Sequence, residues 1–318
     1  SVLKETGIWV TMHHPQWGDL VAAFLKTALT QTDFSKQEHK SINNLMSRFS
    51  NDSRVQGLIT SALLQRESIH KKIFLLDVMA GSPVKNFPDG WLQLLKKMLL
   101  DDSNIELQSR ILNLVQLRDI KSFDKILEGI ANNTKMDQSF RLKALGVIIN
   151  KNKILPDNQF KILVQSIDAS NKSIVRQQAA RILSNANLSN AQLNVLAKDI
   201  LPVADAYLVP ELVMSFKSDS SENTGLAMIA SLKKIQTKLD NLPLKDFEKF
   251  ITNYPANVQT QAQALIAFLK EQQKERIQQL ERLASSLQKG DVDEGRRLFF
   301  GKATCFTCHA VENEGGDF

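Results

Sequence analysis

An all-α fold, in which helical pairs stack into an α-α superhelix, is predicted from three observations. The chain of 318 residues contains only 13 Gly and 8 Pro and is rich in Leu, Ile, Lys and Gln, a composition that favours helix over strand. Apolar residues recur at helical spacing along most of its length, and at 43% of the chain they are ample for a buried core. The middle of the chain also repeats itself. The stretches "DDSNIELQSRILNLV" (101–115), "MDQSFRLKALGVII" (136–149) and "DASNKSIVRQQAARIL" (168–183) align on Ile105, Phe140 and Val175, 35 residues apart each time. A fixed period of this size marks a helical solenoid.

Each element follows from local chemistry. Residues 1–70 read as helices interrupted around "HHPQWGD". From 71 to 290 helical pairs alternate with turns: the runs at 90–100, 122–130 and 158–167 are amphipathic, and each precedes one of the three repeated stretches. Each repeated stretch opens with Asp, Ser or Asn, residues that cap a helix N-terminus. In the third, Ile174, Val175, Ala179, Ile182 and Leu183 are expected on one face, with Arg176, Gln177 and Arg181 toward water. Residues 242–255 read as a further turn and helix. A long helix over 257–290 carries the stripe Leu265, Leu269, Ile277, Leu280, Ala284 and Leu287, and Glu271 can pair with Lys274. It reads as the last solenoid helix extended into a connector, in preference to a coiled-coil dimer, because the seam lasts only about two heptads. Gly290 is expected to end it, Asp291 to cap a short helix with Glu294 as its capping-box partner, and Gly301 to stop that helix.

The segment 168–183 resembles the HEAT repeat, in which an Asp-containing turn precedes a "V-R-x-x-A-A" helix. Val175-Arg176 and Ala179-Ala180 stand in those places. The expected class is therefore a HEAT/armadillo-like superhelix, each pair burying on its neighbours an apolar face too wide to bury alone.

The chemistry lies at the C-terminal end. The only two cysteines form Cys305-Phe306-Thr307-Cys308-His309, a C-x-x-C-H sequence. Shuffling this composition would produce it roughly once in ten thousand arrangements, and it is the attachment signature of a c-type haem. On that reading Cys305 and Cys308 bond the two vinyl groups and His309 is the proximal iron ligand. Other readings use the same side chains. A zinc site needs a fourth ligand, and His13, His14, His39 and His70 are distant in sequence. A thioredoxin-like pair expects a strand-to-helix setting. Coincidence is the last reading. All seven methionines precede the motif and read as core filler.

"G-R-R-L-F" (295–299) resembles the N-terminal helix of class I cytochromes c, with Gly295 allowing close approach and Phe299 as the aromatic. Helical repeats, a long polar helix, "GDVDEGRRLFFG", C-x-x-C-H and "EGG" together resemble the planctomycete-type haem-binding domain family, described as membrane-bound dehydrogenases. The stretch 75–99 resembles a recurrent piece of the same family's helical region. The likeness is loose over most of the chain and close over 290–316. It implies an extracytoplasmic, periplasmic bacterial protein that passes electrons from a dehydrogenase module to haem c. Two features depart from the family: no β-propeller precedes the repeats, and 291–318 is far shorter than the roughly hundred residues of a cytochrome domain. By that resemblance the second axial ligand, normally a Met, lies outside this chain, and haem c is expected in the intact protein, with little or none held by these 318 residues alone. The first residue is Ser, which reads as a mature or excised fragment.

No apolar run approaches the ~20 residues a membrane span needs. The net charge of +6 is dispersed, without basic lines interleaved with aromatics, so nucleic acid is not the expected partner. The expected partner is an electron donor or acceptor protein, or the fused dehydrogenase domain. The rival readings are a protein–protein interaction solenoid without redox function and, after it, a nucleic-acid-binding HEAT-like solenoid. No catalytic motif is present: no phosphate-cradling Gly loop, no HExxH and no nucleophile elbow.

Overall fold

A computed structural model describes residues 2–30, 36–65, 68–101, 104–286, 290–307, 309–311 and 314–315. Among them the chain is mostly helical, as its composition favours. The helices are α1 (Val2–Met12), α2 (Gly18–Ala28), α3 (Lys36–Arg48), α4 (Ser53–Leu64), α5 (Ile69–Gly81), α6 (Asp89–Asp101), α7 (Ile105–Leu117), α8 (Asp124–Asn132) and α9 (Gln138–Asn152). They continue with α10 (Asp157–Ile167), α11 (Ser173–Asn185), α12 (Asn190–Val195), α13 (Val209–Met214), α14 (Glu222–Lys234), α15 (Leu244–Ile251), α16 (Ala256–Ser286) and α17 (Val292–Phe300). The expected interruption near "HHPQWGD" is a 3-10 turn, Pro15–Trp17. The only paired strands among the described residues are the two-residue pieces β1 (Ala310–Val311) and β2 (Glu314–Gly315), antiparallel, with Val311 opposite Glu314.

Helices contact their next-but-one neighbours. The odd-numbered helices from α1 to α13 pack in one row; the even-numbered α2, α4 and α6, and then α12, α14 and α16, pack in another. Partners across the rows, such as α8 with α9 and α10 with α11, are joined by tight turns. Side chains bridge successive pairs at nearly constant sequence distance. Trp91 Nε1 donates to the Gln56 carbonyl (3.2 Å), Arg118 to that of Ser82 (2.8 Å), Lys143 Nζ to Ser109 Oγ (2.8 Å) and Ser231 Oγ to the Ala197 carbonyl (2.6 Å), spans of 34 to 36 residues. The last bond satisfies a carbonyl within Leu196–Ile200, a π-helical turn in which the ordinary i→i+4 ladder is displaced.

Two apolar cores run end to end. The first gathers buried residues from Val21 to Ile148 and passes through residue 70 without interruption; the second runs from Ala131 to Leu269. Helix α9 belongs to both: Phe140, Ala144 and Val147 face the first core, Leu142, Leu145 and Ile149 the second. Burial on two sides explains why "FRLKALGVII" is apolar nearly all round instead of striped.

The repeat register differs from the sequence alignment by two residues at its first member. Ile105 is the first residue of α7 and 52% exposed, whereas Phe140 and Val175 are the third residues of their helices and buried. The equivalent of those two is Leu107, also buried. A side-chain cap sets this register in α7 and α9, where Asn104 Oδ1 accepts from the Leu107 N–H (3.0 Å) and Asp137 Oδ1 from the Phe140 N–H (3.1 Å); the cap expected of the third stretch does not form, because Lys172, which has no acceptor, precedes α11. The next residue is Gln108, Arg141 or Arg176, and each donates to a carbonyl near the end of the preceding helix: Leu99, Ala131 and Ile167, at 3.0, 3.1 and 2.9 Å. These carbonyls belong to helix C-termini and lack an intrahelical donor.

Arg176 is therefore not directed to water as its helical phase predicts. It is buried, and its guanidinium also meets Asp205 (2.7 Å) and lies over the Tyr207 ring (5.6 Å). Ile174, expected on the buried face, is 44% exposed. A period-3.6 pattern cannot see that the preceding helix end reaches over the side chain at Arg176.

Helix α16 has two halves. Val258, Ala262, Leu265 and Leu269 are buried, while Ile277, Leu280 and Ala284 are exposed and Leu287 lies outside the described residues. At 31 residues the helix is about 46 Å long, so its second half extends beyond the core. The Glu271–Lys274 pair forms at 3.5 Å, both side chains exposed. Among the described residues no helix is long and apolar enough to cross a membrane.

Candidate functional site

The C-terminal segment is built from α17 onward. Asp291 Oδ1 accepts the Glu294 N–H (3.0 Å), giving the expected cap. The reciprocal half of the expected box does not form, because the Glu294 carboxylate is a bidentate acceptor for Arg297 at 2.7 and 2.8 Å. That exposed hydrogen-bonded pair raises the Arg297 pKa. Gly301 follows the last helical residue as expected, and the Ala303 N–H bonds back to the Leu298 carbonyl (3.0 Å). Thr304 then takes φ +50°, a left-handed conformation disfavoured for a β-branched residue, and reverses the chain into the motif.

Cys305–Thr307 is one 3-10 turn. The His309 N–H donates to the Cys305 carbonyl (2.9 Å), so Cys305 and His309 stand one helical turn apart on the same side of the chain. The Thr307 hydroxyl closes the turn on the Thr304 carbonyl (2.7 Å), and Cys305 Sγ lies 3.6 Å from the Ala303 carbonyl. Cys308, the second expected anchor, lies outside the described residues. Cys305 is half-buried and His309 exposed. The strands β1 and β2 begin immediately after His309, and Glu314 pairs with Arg296 at 2.5 Å, which ties the hairpin back to α17.

Aromatic rings flank the turn. Phe300 sits 6.0 Å from Phe306 and 4.9 Å from Phe299, with the Arg296 guanidinium 5.1 Å from its centroid. Yet no described side chain of this segment is fully buried or belongs to either core, and Val292, Leu298 and Val311 are 83, 43 and 50% exposed. The Cys305 thiol and the His309 imidazole thus stand on one turn, beside half-buried aromatic and exposed aliphatic side chains. They can supply one sulfur for covalent attachment, one nitrogen ligand and part of an apolar wall.

Two of the other histidines are engaged by their neighbours. His13 Nδ1 is 2.8 Å from the Trp9 carbonyl; His14 bonds Gln16 (3.0 Å) and stacks on Trp17 (4.3 Å). Among the described residues no three His, Cys, Asp or Glu side chains converge. Met46, Met79, Met98 and Met228 are buried in the cores, and Met12, Met136 and Met214 pack against them.

A second feature escaped the sequence reading. A groove of about 310 Å³ crosses α7, α9 and α11, with Gly146 among its lining residues. Amide side chains from Asn113, Gln116, Asn150 and Asn185 line it together with Lys143 and Arg181. The available signal was positional: counted from the helix starts, Asn150 and Asn185 are equivalent, as are Lys143 and Gln178.

No family model, curated protein or solved structure matches this chain.

Proposed function

We propose that the helical pairs form a HEAT/armadillo-like superhelix that carries the attachment turn of a c-type haem, and that the intact protein transfers electrons. The observation that carries this reading is the C-x-x-C-H sequence at the chain's only cysteines. The turn is held with His309 one turn from Cys305, on a segment whose apolar side chains neither core covers. The alternating rows and the recurrent bridges over 34 to 36 residues support the superhelix.

In this reading Cys305 and Cys308 would hold the group covalently through their sulfurs, and His309 would supply the iron with a nitrogen ligand. The haem, when bound, supplies one-electron chemistry. Phe299, Phe300 and Phe306 form part of the wall that keeps water away, and the Arg296–Glu314 pair holds the hairpin that follows the ligand. The superhelix and the projecting half of α16 act as a spacer between this turn and an electron-donating dehydrogenase module. The compartment is periplasmic, since covalent attachment requires export to a maturation system.

The test is a pyridine haemochrome spectrum of the intact, exported protein from a host competent in cytochrome c maturation. One covalent haem per chain is expected, with a haem-bearing peptide that contains Cys305 and Cys308. Replacing both cysteines by Ser abolishes it, and His309→Ala removes the low-spin spectrum. A colourless intact protein refutes the reading and leaves an adaptor made of helical pairs.

A further inference from the structure

The groove across α7, α9 and α11 has a chemistry that points to one kind of occupant. Its two cations lack acidic partners. The Lys143 ammonium bonds only the Ser109 hydroxyl (2.8 Å), and the Arg181 guanidinium has no partner among the described residues. No carboxylate lines the groove among the described residues. The side-chain amides of Asn113, Gln116, Asn150 and Asn185 likewise bond no other described residue, so each offers a donor and an acceptor to a ligand. A peptide backbone requires both. Packed helices stand 8–10 Å apart, and an extended chain advances about 3.3 Å per residue, so equivalent amides on α9 and α11 meet backbone groups about three residues apart. Gly146, on α9 between Lys143 and Asn150, leaves the room: a Cβ there would meet Ile182 at 3.5 Å and stand in the groove. Among the described residues no aromatic ring lines the groove to provide the stacking platform that single-stranded nucleic acid uses.

We propose that this groove is a docking site for an extended acidic peptide segment of a partner protein, with Lys143 and Arg181 reading its carboxylates and Asn150 and Asn185 its backbone. The site is independent of the haem turn and goes beyond the electron-transfer reading.

The test measures fluorescence anisotropy with labelled ten-residue peptides carrying Glu at every third position, their Gln counterparts, and an oligo-dT of equal length. The Glu peptides are expected to bind at least tenfold more tightly than the Gln peptides. Arg181→Glu and Lys143→Gln should each weaken binding about tenfold at 50 mM salt and far less at 500 mM, because exposed charges are screened. Asn150→Ala with Asn185→Ala should weaken it about threefold at both salts, and Gly146→Phe should block it with the circular dichroism spectrum unchanged. Absence of peptide binding, binding indifferent to all four variants, or preferential binding of oligo-dT at the same residues would overturn the proposal. None of these substitutions alters haem attachment at Cys305 and Cys308, so failure of one reading leaves the other standing.

Discussion

Removing Arg176 should cost the protein about 3 kcal/mol. Its Nε donates to the Ile167 carbonyl at 2.9 Å in a buried setting. A charged donor to a carbonyl contributes about 1.5–3 kcal/mol, and its loss leaves that helix-terminal carbonyl unpaired. The Asp205 contact at 2.7 Å adds less than about 1 kcal/mol, because the Asp205 side chain is 50% exposed and screened. The Tyr207 contact at 5.6 Å adds roughly 0.5 kcal/mol. These contributions share one guanidinium and do not sum fully, so Arg176→Ala falls at about 2–4 kcal/mol. A urea titration followed by far-UV circular dichroism reads it. With a slope near 3 kcal/mol/M, the midpoint drops by about 1 M. Because Arg176 joins the α10–α11 pair to the loop after α12, the transition should also broaden or split as the stack loses coupling at that point. Asp205→Ala is expected to move the midpoint by less than about 0.3 M. Should Arg176→Ala shift it by less than about 0.2 M, the side chain is solvated in solution as helical phase alone predicts, and the account of helix-end capping fails.

Two glycines should respond in opposite senses. A Cβ on Gly225 would stand 2.6 Å from Tyr254 Cδ1 and 2.9 Å from Val258 Cγ1, so Gly225→Ala is expected to destabilise by about 1–3 kcal/mol in thermal melts, whereas Gly146→Ala, meeting only Ile182 at 3.5 Å, should gain about 0.5–1 kcal/mol from helix propensity. Asp168 accepts from both the N–H and the hydroxyl of Ser170, at 2.9 and 2.6 Å, and these bonds lower its pKa. The folded state therefore releases this proton more readily than the unfolded one. The stability so gained is present above the ordinary carboxylate range and lost as the pH falls through and below it, and an acid titration of Asp168→Asn should lack that part of the decline. Limited trypsin digestion should cut first in the exposed half of α16, at Lys274, Arg276 or Arg282, and release the motif-bearing tail from an intact helical body; first cleavage inside α7 to α11 would contradict the two-core arrangement.

Much of this protein was legible in its residues because helices are local. The scarcity of Gly and Pro, the 3.6-residue apolar pattern and the caps at Asn104, Asp137 and Asp291 depend on neighbours a few positions away, and helices begin at or beside each of them. The end of α17 at Gly301 and the break near "HHPQWGD" are legible for the same reason. The C-x-x-C-H motif is a covalent-chain fact, visible without any fold.

What only the tertiary structure decided is which polar side chains are enclosed and which apolar ones are left uncovered. Arg176 and Arg181 have the same chemistry and lie five residues apart on α11. One is enclosed by the end of α10 and by Asp205, and the other lines an open groove. Leu269 and Leu280 belong to one stripe of α16, yet the first is buried and the second is exposed because the core ends between them. Periodicity reports the face of a helix. Burial depends on what lies opposite that face, and here the opposite surface comes from residues about 35 positions away, beyond the reach of any local pattern.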